Sequence, residues 1–437
     1  MIKKLVIVFI AFFAIQSFAQ EGTSSPYSFY GIGSLKFKGT VENRSMGGLS
    51  IYTDSTHVNL RNPASYGGEN LELYNNEGRP MVFSVGGSHM STKLKSETNS
   101  DRASTSTFDY LAVSLPIGKL GIGFGLMPYT SVGYKLENYE ANGITKRFKG
   151  DGGVNKTYLS AGYQITKALS VGIDAQYNFG KIEGSTIEYL YDNDGELIQY
   201  QTREDNRSDL SGLNYNIGLT YKTKLNSKLE LTSGVTFSPK SDLNSKNKRS
   251  INTITIIPST EQEFVVNTLE TDLESKGLKE TSLTLPAKFS FGVGIGEARK
   301  WFVGVESVFQ ETSKFGNALY DSANTETTYE NSNTFSLGGF YIPDYNAYRS
   351  YIKRMVYRAG VRAEKTGLII NGESIDEFGI SFGVGLPVGN NLFSNANLGF
   401  EFGKRGTTNK NLIQENFINF QLSLSLNDRW FEKSKFN

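Results

Sequence analysis

The chain has 437 residues, with 45 Lys and Arg against 44 Asp and Glu and no cysteine. A formal charge of +1 lacks the basic excess of a nucleic-acid binder. Without thiols there are no disulfides, zinc–thiolate sites, cysteine catalysis or lipid attachment through an N-terminal cysteine.

The first segment reads as an address. Lys3 and Lys4 form a positive region, Leu5 to Ile15 is apolar, and Ser17-Phe18-Ala19 has the small-x-small form of a signal-peptidase site. Cleavage after Ala19 leaves Gln20 as the mature N-terminus; the alternative is an uncleaved anchor helix. The expected division is therefore a signal peptide over 1–19, an irregular N-terminal unit over 20–80 and a barrel over 81–437. Beyond the signal, nothing approaches the run of about 20 apolar residues that a spanning helix needs. Mean hydropathy is −0.34. That value is compatible with a membrane barrel, because apolar outward residues alternate with polar inward ones and the average cancels.

From Gln20 to Asn70 no alternation is present. The stretch is rich in Gly and Ser and contains Met46-Gly47-Gly48 and Asn62-Pro63-Ala64. Asn-Pro initiates a turn and proline fixes φ, while paired glycines allow a tight bend. The expectation is a compact plug inside a barrel; the alternative is a plain periplasmic leader.

From Met81 onward, stretches of about ten residues alternate and are separated by turns or charged loops, the pattern of a spanning strand. Thr157, Leu159, Ala161, Tyr163 and Ile165 share one face, and Tyr158, Ser160, Gly162 and Gln164 the other. Val171 to Phe179 repeats this with Asp174, Gln176 and Asn178 inward. Between Phe378 and Val388 six apolar residues oppose Gly379, Ser381, Gly383 and Gly385. About fourteen such strands are expected, an even number that suits a closed antiparallel barrel. They start near Met81, Phe108, Leu120, Asn155, Leu169, Leu213, Leu229, Leu283, Trp301, Asn333, Tyr357, Ile375, Asn395 and Phe417. The predicted fold class is all-β, a transmembrane antiparallel barrel; a soluble sandwich or propeller explains the aromatic load and the signal segment less well.

Asn226-Ser227 and Asn371-Gly372 read as tight turns. Outer-membrane barrels place short turns on the periplasmic side and long loops outside, so the polar stretches Gly184 to Asp209 and Asp242 to Glu280 are expected to face outward, with strand-like pieces such as Ile251 to Ile257 extending hairpins beyond the bilayer. The third strand carries Gly121, Gly123 and Gly125 and then Met127-Pro128. Proline removes a ladder hydrogen bond, so a bend is expected there. Gly125, Met127, Pro128, Tyr129 and Ser131 are the candidate lining of a side opening, against a simple strand-end turn. The last strand alternates Ile418, Phe420, Leu422, Leu424 and Leu426 with polar residues, and Trp430 and Phe431 follow as interfacial aromatics. That segment resembles the terminal signal read by barrel-assembly machinery, although six polar-tail residues follow it, as in barrels of Bacteroidetes-type bacteria.

Catalysis is not expected. Ser88 and His89 are adjacent on a strand and point to opposite faces. Asp192-Asn193-Asp194-Gly195 lacks the remaining spacing of a calcium loop and reads as a hairpin turn. Neither a cofactor nor a metal is predicted.

The order Met-Gly-Gly, Asn-Pro-Ala, barrel, then Leu285-Pro286-Ala287 leading into Phe289-Ser290-Phe291-Gly292 resembles the FadL-type family of hydrophobic-compound transporters, across nearly the whole mature chain. The resemblance implies an outer-membrane barrel of a Gram-negative cell with an N-terminal hatch at Met46, Gly47, Gly48, Asn62, Pro63 and Ala64. It also implies a kinked third strand with a lateral opening, and passive uptake of long-chain fatty acids or other hydrophobic small molecules. The expected partners are outer-membrane lipid, that ligand, and the barrel-assembly machinery during biogenesis. Some barrels related to this family look like subunits or adaptors of larger secretion or assembly complexes, which is the alternative function; a general porin is a third reading.

Overall fold

Alternation with a period of two becomes, in the computed structural model, a closed antiparallel barrel of fourteen strands. The structure describes residues 22–36, 39–68, 79–140, 143–257, 259–314, 327–388 and 394–428. The signal segment and the aromatic pair Trp430 and Phe431 lie outside the described residues. The strands are β1 (Met81–Lys95), β2 (Ser100–Ile117), β3 (120–140), β4 (Gly143–Gln164), β5 (Leu169–Glu188), β6 (Gln201–Lys224) and β7 (229–257). They continue with β8 (280–297), β9 (Trp301–Gln310), β10 (327–341), β11 (Val356–Ile370), β12 (Glu373–Val388), β13 (Ser394–Arg405) and β14 (Gln414–Asp428). Each neighbours the next, and β14 closes on β1 from Met81↔Asp428 to Lys95↔Gln414. Closure leaves no unpaired sheet edge facing lipid, the condition for a strand structure to cross a bilayer.

Facing follows the pattern. Leu159, Ile173, Tyr177, Phe378 and Phe382 are exposed on the outside, while Ser160, Asp174, Gln176, Asn178, Glu377 and Ser381 are buried inside. The outward apolar residues run around the barrel from Phe124 to Ile418 and form the belt that hydrocarbon would cover. Among the described residues no helix is long and apolar enough to cross a membrane.

Both ends of the barrel sequence, Met81 and Asp428, lie at one rim, shared by the short turns 118–119, 165–168 and 225–228. At the opposite rim β5 and β6 rise as a long hairpin paired to Glu188↔Thr202. β7 continues upward and pairs with an outer strand, Gln262–Glu270. The stretches read from sequence as long loops are therefore mostly strand. One assignment needs correcting. Asn371-Gly372 joins β11 to β12 at the long-hairpin rim, not at the rim of Asn226-Ser227. Its tightness is local chemistry, φ 53° and 75° at the two residues, which says nothing about the rim on which a turn falls.

Candidate functional site

The barrel interior is not empty. Residues 22–36 and 39–68 pack against the inward faces of strands around the circumference. Met46, Leu49 and Ile51 form an apolar cluster with Phe302, Phe340 and Ile342. Val41, Val58, Leu60 and Tyr66 do so with Val82, Tyr110, Met127 and Tyr158. Helix α1 (Val41–Arg44) is capped at Thr40, whose hydroxyl accepts from the Asn43 amide while the Asn43 side chain accepts in return, satisfying amides that the helix itself cannot.

The motif residues occupy the narrowest contacts. Gly47 adopts φ +69° and, with the Met46 carbonyl, lies directly on Gly360 and Gly338, where any Cβ would collide with backbone. The Gly47 amide donates to Ser381 Oγ at 2.9 Å. Gly48 has φ +93°, and its carbonyl accepts from Arg61 at 2.6 Å. Asn62 caps a short 3₁₀ turn (Pro63–Tyr66) by accepting from the Ala64 amide at 3.0 Å, and donates to the Leu219 carbonyl at 3.0 Å. Pro63 and Ala64 sit on Gly172, whose missing side chain lets the turn approach the wall.

Buried ion pairs join the segment to the wall. Arg44 Nε reaches Glu401 at 2.6 Å, and Glu401 also accepts from Arg362 at 2.9 Å. Arg362 and Arg405 both pair with Glu377, and Ser25 donates to Glu415. A second group centres on Glu306, which accepts from the Ser50 amide at 2.7 Å and from Arg61 Nη2 at 3.0 Å. None of these was singled out from sequence. A readable signal existed: Glu306 and Glu401 each stand between two outward residues, Val305 and Ser307 or Phe400 and Phe402, and so must point inward.

A titratable pair lies at the short-turn rim. His57 Nδ1 is 2.7 Å from Asp54 Oδ2, and its Nε2 is 3.7 Å from Glu42. Burial opposes the charge on His57, yet the Asp54 carboxylate, its hydrogen bond and Glu42 together hold the imidazole above its ordinary value. Burial likewise opposes ionisation of Asp54, but His57 and the Thr56 and His57 amides bring it below the usual carboxylate range.

The residues expected to line a side opening are brought together, though not as a free hole. β3 pairs with β2 only from Ile117↔Leu120 to Leu111↔Leu126. On its other side it stays paired with β4 through Pro128↔Asn155 and, after a one-residue shift, from Val132↔Gly152 onward. The vacated edge is taken by a two-residue strand of the N-terminal segment, Ser34↔Ser131 and Leu35↔Thr130, and the Lys36 amide donates to the Tyr129 carbonyl at 2.9 Å. Gly125 lies against Tyr158 and Met127 is buried in the interior cluster. Pro128 lines a cavity of about 80 Å³ with Lys36, Arg44 and Asp109. Tyr129 lines another of about 120 Å³ with Tyr27, Tyr30, Ile32 and Leu368. Burial lowers the Lys36 ammonium to about 8, with Asp109 opposing.

The residues discounted for chemistry fall as geometry demands. Ser88 Oγ donates inward to Asp109 at 3.0 Å, while His89 meets Ser106 at 2.8 Å on the exposed face. Asp192 caps a turn, accepting from the Asp194 and Glu196 amides.

A family model described as BamG matches residues 1–437. The chain belongs to the BamG family. No curated protein matches it in sequence. Among solved structures, the TodX deltaS2S3 mutant, a monoaromatic hydrocarbon channel, aligns at 17% identity over 90% of this chain and 99% of its own, with a TM-score of 0.57. A FadL homologue of Pseudomonas aeruginosa aligns at 12% identity over 91% and 99%, TM-score 0.54. The Pseudomonas putida toluene transporter TodX aligns at 16% over 91% and 99%, TM-score 0.51. At such identities these relatives fix the fold of the BamG-family chain, which is that of an outer-membrane β-barrel. The resemblance to FadL-type proteins therefore holds for architecture, while the family itself is BamG.

Proposed function

We propose that this barrel serves in the outer membrane of a Bacteroidetes-type Gram-negative cell as a subunit of an assembly complex, with its N-terminal segment acting as a fixed hatch. The observation that carries the reading is the occupied interior. Residues 40–68 touch wall backbone at Gly172, Gly338 and Gly360 and are tied by Arg44–Glu401 and Arg61–Glu306. Displacing them would break buried ion pairs, each costing several kcal/mol when one partner is left alone. The family description BamG suggests a link to barrel assembly. The long hairpins at one rim offer docking surface beyond the bilayer.

A second reading has its own observation. The ladder break between β2 and β3 supports passive transport of long-chain fatty acids or other hydrophobic compounds, leaving sideways into the bilayer past Gly125, Met127, Pro128, Tyr129 and Ser131. The names of the similar channels favour it. The size of the spaces beside the break does not, since about 80 and 120 Å³ fall below the roughly 300 Å³ at which pockets for drug-sized ligands begin.

Purification from native membranes in mild detergent, paired with a fatty-acid uptake assay on a deletion strain, separates the two. Stoichiometric recovery with a larger complex and normal uptake supports the subunit role. Recovery alone with uptake lost supports transport and overturns it.

A further inference from the structure

The chain is almost neutral overall, yet its charge is sorted along the barrel axis. At the rim that holds Met81 and Asp428, the connections 118–119, 165–168, 225–228, 298–300 and 342–355 carry eight Lys or Arg side chains and one carboxylate. At the other rim the described connections outside strands, 96–99, 189–200, 259–261, 271–279, 311–314, 371–372 and 406–413, carry eight carboxylates and four cations.

The cations of the first rim are available. Lys119, Lys167, Lys228, Arg349 and Lys353 are exposed. Among the described residues none of the five is held in an ion pair, whereas Lys222 and Lys300 pair with Glu230 and Glu297. They come from four of the five described turns on this rim, so the field covers a broad face and not one spot.

The face also has a raised, sticky edge. The other described connections here are two to four residues long, but 342–355 has fourteen and contains a short helix α2 (Tyr351–Arg354). It presents Tyr348 at 98% exposure and Ile352 at 66%, beside Arg349 and Lys353. Bare Tyr next to Arg is the composition that anchors protein interfaces.

Two occupants fit a basic rim: anionic phospholipid headgroups or an acidic protein. Headgroups pack around the outside of a barrel. An excess of cations continues across the mouth, where Lys222, Arg299, Arg354 and Arg358, against Glu42 and Asp54, line a cavity of about 140 Å³. Arg358 is buried, but Lys222, Arg299 and Arg354 are half-buried at the opening, where a body lying across it meets them and lipid around the wall does not.

We propose that the short-turn face of the barrel docks a folded protein partner with an acidic surface, seated across the mouth and against Tyr348. This deepens the subunit reading and rests on it. Complementary charge of this kind steers encounter and makes the contact salt-sensitive.

The test uses the full chain expressed in its own membranes. One form is wild type; the other carries Lys119→Glu, Lys167→Glu, Lys228→Glu, Arg349→Glu and Lys353→Glu. Unchanged heat-resistant migration in detergent gels confirms that both barrels are folded. The expected result is a stoichiometric partner, identified by mass, whose retention falls roughly a hundredfold in the variant, as several opposed like charges demand. Reversal of carboxylates on that partner to Lys then restores binding to the variant and not to wild type. If both forms retain the partner equally, the docking face is wrong and the subunit reading stands. If wild type recovers no partner, both fall. Both forms are also placed in nanodiscs of phosphatidylcholine with and without phosphatidylglycerol. Loss of phosphatidylglycerol enrichment with no change in protein partner assigns the face to lipid and overturns the proposal.

Discussion

Replacing Glu306 with Ala attacks the tie between the N-terminal segment and the wall at a single carboxylate. Its side chain is 2% exposed and receives the Ser50 amide at 2.7 Å, the Ser50 hydroxyl at 2.9 Å and Arg61 Nη2 at 3.0 Å. Without it, Arg61 keeps the Gly48 carbonyl at 2.6 Å but loses the Glu306 carboxylate, and the Ser50 amide loses its acceptor. Removing one partner of a buried pair costs about 3–5 kcal/mol. Arg61 retains 12% exposure and can recruit water, which places the cost at the lower end, about 3 kcal/mol. At 1.4 kcal/mol per decade, local opening of residues 44–62 rises about a hundredfold. Hydrogen–deuterium exchange read by mass spectrometry, at fixed pH in detergent, measures it on peptides from that stretch. Strands β11 to β14 should keep their protection, and Glu306→Gln, which preserves an acceptor, should fall between the two. Unchanged exchange over 44–62 in the Ala variant would refute the claim that this ion pair fixes the segment.

Three further outcomes follow from the same geometry. Gly360→Leu forces a side chain into Met46 and Gly47 backbone, and such overpacking costs about 1–3 kcal/mol or more. The unfolding midpoint should drop and exchange near Met46 should rise, with an unaltered midpoint counting against backbone contact there. Lys36 has a depressed folded value of about 8, so the unfolded chain binds more protons between that pH and its ordinary value, and stability rises with pH across this window. Lys36→Met should therefore stabilise the protein at pH 7, with the advantage shrinking at pH 10; a pH-independent difference would be inconsistent with a buried ammonium. His57 is raised, so its contribution is complete below the ordinary histidine value and is lost as pH climbs through the folded value. The chain has two histidines, so His89→Asn leaves one imidazole for NMR titration. Its midpoint should lie above 6.5 and fall in Asp54→Asn, and an unshifted midpoint in that variant would remove Asp54 as the cause.

Much of the barrel was written into the sequence because strand facing has a period of two. Leu159 and Ile173 must face out if Ser160 and Asp174 face in, and that local rule needs no knowledge of neighbours. All fourteen predicted starts fall within barrel strands for the same reason. Turn position was a different matter. Asn371-Gly372 declares its conformation, while its rim depends on counting every strand before it. The family resemblance gave the architecture and left the function divided.

The contents of the lumen were decided only by the tertiary structure. Nothing local to Arg44 says that Glu401, over 300 residues away, completes its charge, or that Met46-Gly47 would rest on Gly338 and Gly360. Proline cannot donate to a ladder, so a disturbance near Pro128 was expected from sequence; pairing with β2 ends at Leu126 while pairing with β4 runs through Pro128, and that Ser34 and Leu35 would take up the vacated edge was not legible, since strand pairing at long separation has no sequence signature. The sorting of charge between the two rims has the same origin. Each turn carries only one to three Lys or Arg, and closure of the barrel gathers them into one face.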